Sequence, residues 1–288
     1  MTDLATIHSW PSLERPVLVV TLEGWVDAGL AGSTAASALL ESMPHEMVAT
    51  FDADELIDHR ARRPVLRVVN GVATELRWPE ITLQVATNRT GRSVLVLTGP
   101  EPDMRWHRFI NETVALSSRL GVEMMIGLGA FPAPVPHTRP VRLAATASNE
   151  DLAEEVGFIP ATLDVPAGVQ AGLERGFADA GVPAIGLWAR VPHYASAMPY
   201  PAAAAALLEQ LSRLTEIETD TEALHSSGRA TFSQIEQLIA GSEDHAAMVR
   251  QLEAQLDAEP DKAAGNLGDL PSGDELAEEL ERFLRNET

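Results

Sequence analysis

The chain has 288 residues, 45% of them hydrophobic, and a formal net charge of −21 at pH 7; that length buries a substantial core, in one large domain with an appendage or in two domains. The charge argues against general nucleic-acid binding, which draws its affinity from neutralising phosphates. There is no cysteine, and of the 21 basic residues only Lys262 is a lysine, which removes thiol nucleophiles, disulfides and Cys-based metal sites, together with Schiff-base and lysine-dependent nucleotide chemistry in the main body.

The N-terminal stretch Met1 to Trp10 carries Asp3 and no basic residue before His8. Neither a secretory signal nor an Arg-rich transit peptide is expected there. No apolar run approaches the roughly 20 residues that span a bilayer, so a cytoplasmic address without membrane contact is expected. The run Val17–Leu22 predicts a strand, and it ends in Gly24-Trp25-Val26-Asp27-Ala28-Gly29-Leu30-Ala31-Gly32, which opens a helix over Ala28–Glu41. A strand ending in a glycine-rich turn is where α/β proteins place ligands. Gly24 and Gly29 have the spacing of a phosphate loop, but Leu30 and Ala31 stand where that loop needs Lys and Ser or Thr. The plainer reading takes the glycines as a tight turn, Trp25 as packing and Asp27 as a helix N-cap.

Further strands are expected at Met47–Phe51, Val65–Val69, Val72–Arg77, Ile81–Ala86, Val94–Thr98, Glu123–Leu128 and Ala184–Ala189. Asn70-Gly71 between two of them predicts a type I′ hairpin and hence a mixed sheet. Helices fit Asp103–Leu120, Asn149–Val156, Val169–Ala180 and Pro201–Glu216. In the first of these Trp106, Phe109, Ile110, Thr113, Val114, Ser117 and Leu120 recur at three and four, with Asp103 as N-cap. Gly129 to Pro140 holds Pro132, Pro134, Pro136 and Pro140, and this spacing predicts an ordered loop or extended arm, neither helix nor central strand. The alternation of strands and helices predicts a layered α/β body of residues 1–214.

Residues 215–288 hold 18 Asp/Glu against 5 Arg/Lys, a balance of −13 that leaves −8 for the first 214 residues. This region reads as an acidic helical appendage, a solvated surface by default, with docking to a basic surface as the alternative. Phe232, Ile235, Leu238 and Ile239 form one apolar face; Gly241 breaks it; Ser242 caps a second helix carrying Met248, Leu252 and Leu256. A linker is expected at about 257–273 and a last helix at 274–285, presenting Leu276, Leu280, Phe283 and Leu284. At roughly three turns it should dock on something.

Four polar clusters supply candidate site residues: Trp25 with Asp27; Glu101 and Asp103 with Arg105 and His107; His137 with Thr138 and Arg139; and His193 with Tyr194. Converging at the strand ends, they would offer the materials of acid/base work or anion binding. Each also has a structural reading, as cap, surface pair or turn residue. Standard signatures fail: His45-Glu46 lacks the second imidazole of a zincin because Ala49 occupies its place, no G-x-S-x-G elbow occurs, and Gly127-Leu128-Gly129 lacks the third glycine of a dinucleotide fingerprint. Asp52, Asp54 and Glu55 lack the rest of a calcium loop. No cofactor and no metal is expected.

Several segments taken together carry a resemblance: Leu22-Glu23-Gly24-Trp25-Val26-Asp27-Ala28-Gly29, Thr98-Gly99-Pro100-Glu101-Pro102, Leu128 through Pro140, and Val191-Pro192-His193-Tyr194 with Pro199-Tyr200-Pro201. Over residues 15 to 215 the chain resembles the actinobacterial branch of the proteasome assembly chaperone family, and its helical tail resembles that branch's C-terminal extension. The resemblance implies an α/β body similar to the phosphorylase/hydrolase-like fold, and a non-catalytic function of escorting proteasome subunits. Related chaperones dock by a C-terminal hydrophobic-Tyr-any tripeptide, whereas this sequence ends Asn286-Glu287-Thr288, so that route is not implied. Two functions stay open. One is a protein-binding or assembly-chaperone-like protein, expected to be a homo-oligomer because the Met1 to Pro16 arm and the proline loop need somewhere to pack. The other is an enzyme or small-ligand binder whose Gly24–Gly32 turn faces the proline loop, Arg139 holding an anion and His137 or Asp27 moving a proton.

Overall fold

The structure, a computed structural model, describes residues 3–88, 91–215 and 217–258. In chain order the elements are β1 (Ala5–Ile7), β2 (Val17–Glu23), α1 (Ala31–Glu41), β3 (His45–Phe51), α2 (Ala53–Leu56), β4 (Val65–Val69), β5 (Val72–Arg77), β6 (Ile81–Thr87), β7 (Ser93–Pro100) and α3 (Trp106–Arg119). There follow β8 (Met124–Ala133), β9 (Leu143–Ala147), α4 (Glu150–Val156), α5 (Val169–Asp179), β10 (Ala184–Pro192), α6 (Pro201–Thr215), α7 (Glu222–Ala240) and α8 (Glu243–Asp257). No helix of the described residues is long and apolar enough to cross a membrane.

Eight strands form one mixed sheet in the order β1-β3-β6-β7-β2-β8-β10-β9. Its centre, β7-β2-β8-β10, is parallel, and pairing turns antiparallel toward both edges. The central strands are apolar on both faces, as strands covered on both sides must be. Alternation divides their side chains between two cores: Val17, Val19, Val94, Val96, Ile126, Leu128, Ile185 and Leu187 face α1 and α6, while Leu18, Val20, Leu95, Leu97 and Met125 face α3 and α5. Alanines pack α1 closely against α6: Ala31, Ala35, Ala36, Ala203, Ala204 and Ala205 are all buried. Beyond α6, α7 adds Leu224 and Ile235 to the same core.

Several local expectations are corrected. The proline-rich segment is a strand as far as Ala133, because β8 continues beside β10 up to the pair Ala133–Pro192. Pro132 is tolerated because pairing between β8 and β2 ends at Gly127, leaving the other side of β8 without a continuous partner. β1 and β9, two edge strands not expected from the sequence, complete the sheet. Asn70 (φ 51°) and Gly71 (φ 81°) do form the hairpin turn, but β4 and β5 make a separate two-stranded ribbon; the main sheet is mixed because of its edges. Helix α3 begins at Trp106, and its N-cap position is Arg105 in the left-handed region, not Asp103. In α7, Phe232 and Leu238 are 42% and 64% exposed while Leu224 and Ile235 are buried, so the buried stripe lies one step round from the expected one. The N-terminal arm packs on its own chain, with Leu4 buried and β1 paired to β3. Apart from Asp257 and Ala258, the expected linker and terminal helix lie outside the described residues.

Candidate functional site

In a sheet with a parallel centre, ligands bind beyond the carboxyl ends of the strands. Here that rim carries the turn 24–30 after β2, the segment 101–105 after β7, the segment 134–142 after β8 and the segment 193–200 after β10. Each glycine of the first turn is occupied by the fold itself. Gly24 (φ 128°) lies so close to the Arg62 guanidinium that a Cβ would collide with it; a Cβ on Gly29 (φ 64°) would meet the Tyr200 Cβ at 2.5 Å, and one on Gly32 the Leu128 carbonyl oxygen at 2.8 Å. The Gly29 N–H donates to Ser196 C=O and the Tyr200 N–H to Gly29 C=O, each at 2.8 Å. The turn is thereby tied to the loop after β10.

Asp27 serves α1 from a distance. Its carboxylate accepts the N–H groups of Gly32 (2.7 Å) and Ser33 (3.0 Å) and the Ser33 hydroxyl (2.9 Å). These are the second and third residues of the helix, whose actual N-cap, Leu30, is left-handed (φ 53°) and offers no side-chain bond. The amino end of a helix is a ready anion site, and this one holds the chain's own carboxylate. The same substitution recurs at α5: Glu101, 8% exposed, accepts the Val169 N–H at 2.5 Å. Its backbone carbonyl accepts from Arg62, which also pairs with Asp103 at 3.4 Å. Asp103 accepts the Asp58 N–H at 2.8 Å. Trp25, 52% exposed, lies over Gly168 at the start of α5. Leu30 (55%) and Met104 (45%) are likewise exposed at this rim.

On the far side of the rim, three consecutive residues of the proline loop receive the C-terminal hairpin. The His137 ring, 1% exposed, joins Tyr194 and Glu236. The Tyr194 hydroxyl accepts the His137 backbone N–H at 2.9 Å and meets Nδ1 at 2.8 Å, while Nε2 lies 2.8 Å from the Glu236 carboxylate. Every group is used once if the hydroxyl donates to Nδ1 and Nε2–H donates to Glu236. Burial raises the Tyr194 pKa, so its proton stays in that chain. Thr138 donates to Glu253 at 2.5 Å, and Arg139 holds Asp257 bidentately at 2.8 and 2.7 Å and Glu253 at 3.1 Å. The hydrogen bond from Arg139 holds Asp257 below the usual carboxylate range, and Asp257 in turn raises Arg139. Leu256 packs with Ala133, Val135 and Phe131. The acidic surface of this hairpin is thus partly a docking face for its own body.

The candidate residues fall into separate groups. His137, Tyr194 and Arg139 come together under α7 and α8, with Glu236, Glu253 and Asp257 as partners that the sequence did not single out. Asp27 is bound to the start of α1; Glu101 and Asp103 gather round Arg62, with Trp25 beside Glu101 at Gly168; His107 is exposed on α3; and His193 touches the Tyr194 ring edge-on at 5.3 Å between centroids. A cavity of about 600 Å³ between the proline loop, α6 and α7 is lined by His137, Arg139, Tyr200, His225, Arg229 and Phe232 among others, but not by Asp27, Trp25, Glu101 or Asp103. Among the described residues no three His, Asp or Glu side chains converge as metal ligands would. Arg62 was missed because nothing in its sequence neighbourhood, Arg60-Ala61-Arg62-Arg63, distinguishes it from its neighbours.

The sequence profile of the PAC2 family matches residues 21–239. A Mycobacterium tuberculosis protein of unknown function is 36% identical, with a TM-score of 0.84 over 92% of this chain and 94% of its own. A Mycobacterium tuberculosis proteasome-assembly chaperone homologue is 33% identical, with a TM-score of 0.76 over 81% of this chain and 99% of its own. An archaeal proteasome activator from Pyrococcus furiosus, at 17% identity and a TM-score of 0.65 over 81% of this chain and 97% of its own, shares the fold. No curated protein matches.

Proposed function

Because this chain belongs to the PAC2 family, we propose that it is a non-catalytic, assembly-chaperone-like protein that holds a protein partner on the rim of its sheet. The observation that carries this reading is the rim's composition. The amino ends of α1 and α5, where an anionic substrate would be held, are filled by Asp27 and Glu101, while Trp25, Leu30 and Met104 stay exposed at the same rim. Such a surface suits apolar contact with a protein, where an exposed tryptophan is a frequent anchor. The partner class, proteasome subunits, comes from the relatives' names and from the resemblance of the rim segments.

The test mixes the purified chain with proteasome α-subunits from the same source and follows complex formation by size-exclusion chromatography with light scattering. A complex is expected, weakened at least about tenfold by Trp25→Ala combined with Met104→Ala, as loss of an interface anchor implies. No complex at micromolar concentrations, or one indifferent to both substitutions, overturns the proposal. So does multiple-turnover conversion of a metabolite that is lost in Asp27→Asn with the fold intact.

A further inference from the structure

All five residues of β4 and all six of β5 are exposed. Pairing sets Leu66 opposite Leu76 and Val68 opposite Ala73 on one face of the ribbon, which is therefore apolar throughout. Leu66, Val68 and Leu76 are 52%, 55% and 47% exposed. A two-stranded hairpin with neither face covered is marginal in water, so this face calls for a cover. The approach to the ribbon also brings positive charge in an acidic chain: Arg60 and Arg63 are exposed and have no ion pair among the described residues, whereas Arg67 and Arg77 alternate onto the opposite face, Arg67 across from Glu75.

One segment of the same chain has the complementary chemistry. Residues 274–285, outside the described residues, carry Asp274, Glu275, Glu278, Glu279 and Glu281 against Arg282 and Arg285, beside Leu276, Leu280, Phe283 and Leu284. The apolar positions recur at four, seven and eight, the spacing of one helix face. Reach is sufficient. Helix α8 ends beside Ala133 at the carboxyl end of β8, and the ribbon leads into β6, three strands away in the sheet order, about 15 Å at the usual strand spacing. The residues between Ala258 and Asp274 extend to about 50 Å.

We propose that the Leu66–Val68–Leu76 face of the ribbon is the docking site for residues 274–285 of this chain, their carboxylates meeting Arg60 and Arg63 in the approach to the ribbon. The proposal does not depend on the chaperone reading. The chain's lack of cysteine makes it directly testable by oxidative cross-linking of the full-length protein carrying Leu76→Cys and Leu280→Cys. A disulfide is expected to form at least about tenfold faster than in a control pairing Leu280→Cys with Ser226→Cys on α7. Mass tells whether the link lies within one copy or between two, and either supports the docking. Adding Arg60→Glu and Arg63→Glu, or raising salt, should slow the reaction about fivefold or more. In the unsubstituted chain, amide hydrogen exchange across 274–285 should be slowed, and that protection lost in the Arg60→Glu, Arg63→Glu variant, which guards against an artefact of the cysteines. Cross-linking no faster than the control, or exchange across 274–285 at the free-peptide rate, overturns the proposal. Dimerisation of Leu76→Cys alone overturns it in favour of ribbon-to-ribbon contact between copies.

Discussion

Glu174 on α5 gives the sharpest quantitative test of the structure. It lies against Gly186 of β10, where a Cβ would collide with its Oε1, and its neighbour Gln170 fills the corresponding space over Gly127. Trp188 Nε1–H donates to the Thr146 hydroxyl at 3.0 Å, and that hydroxyl donates to Glu174 Oε2 at 2.8 Å. Oε1 and Gln170 Nε2 are buried without a partner. Burial pushes the carboxyl from its ordinary 4.5 up to about 7, against the opposing effects of the Thr146 bond and of the adjacent Gln170 amide. Below pH 4.5 the group is protonated folded or unfolded and costs nothing. Between pH 4.5 and 7 the unfolded chain ionises while the folded one holds its proton, so stability falls as pH rises; above pH 7 the loss is complete. At about 1.4 kcal/mol per pH unit it amounts to about 3 kcal/mol, an upper bound. Glu174→Gln cannot ionise and keeps an oxygen for Thr146. Its stability relative to the parent chain should therefore climb by about 2–3 kcal/mol between pH 5 and pH 8, read from urea denaturation followed by tryptophan fluorescence. A constant offset from rearranged amides does not affect that slope. Parallel curves for the two proteins across this range would refute the burial of the carboxylate.

Other substitutions probe the rim. Asp27→Ala removes the carboxylate that accepts two backbone N–H groups at the start of α1 and should cost about 1–2 kcal/mol by chemical denaturation; an unchanged midpoint would mean that water serves those N–H groups equally well. Leu30→Asn relieves a branched side chain from a left-handed backbone and should stabilise by up to about 1 kcal/mol while weakening partner binding; a loss of stability would contradict the φ of 53°. Gly29→Ala faces both a positive φ and the Tyr200 Cβ, so a drop of at least about 1 kcal/mol is expected. Arg139→Ala should accelerate hydrogen exchange in α8 and leave α3 unaffected, and equal acceleration in both helices would argue against a locally docked hairpin.

Much of the fold was legible in the chain because periodicity is local. The apolar runs of β2 and β7, the three-four repeat of α3, the Asn70-Gly71 turn and the Ser242 cap of α8, which accepts the His245 N–H at 3.4 Å, each follow from a few adjacent residues. Where the reading slipped, the controlling contact was remote. Pro132 became strand because β10 pairs beside it, and Asp103 was taken from α3 by Arg62 and the Asp58 N–H. Asp27 was correctly read as a capping residue, yet the helix it caps begins at Ala31, beyond a left-handed Leu30. No local pattern announces that displacement.

The amino-acid order was enough to establish layers, strand number to within the short edges, the absence of thiol and main-body lysine chemistry, and a set of polar candidates near the strand ends. It could not say which of those residues meet, because the partners of His137, Thr138 and Arg139 are carboxylates some hundred residues away, and pairing at such separations depends on how whole helices pack. Folding also consumed the features that looked available to a ligand: the glycines of the first turn receive Arg62, Tyr200 and the β8 backbone, and the helix amino ends receive Asp27 and Glu101. A hydrogen-bonding group at a helix amino end must find a partner, and at α1 and α5 it finds one within the chain.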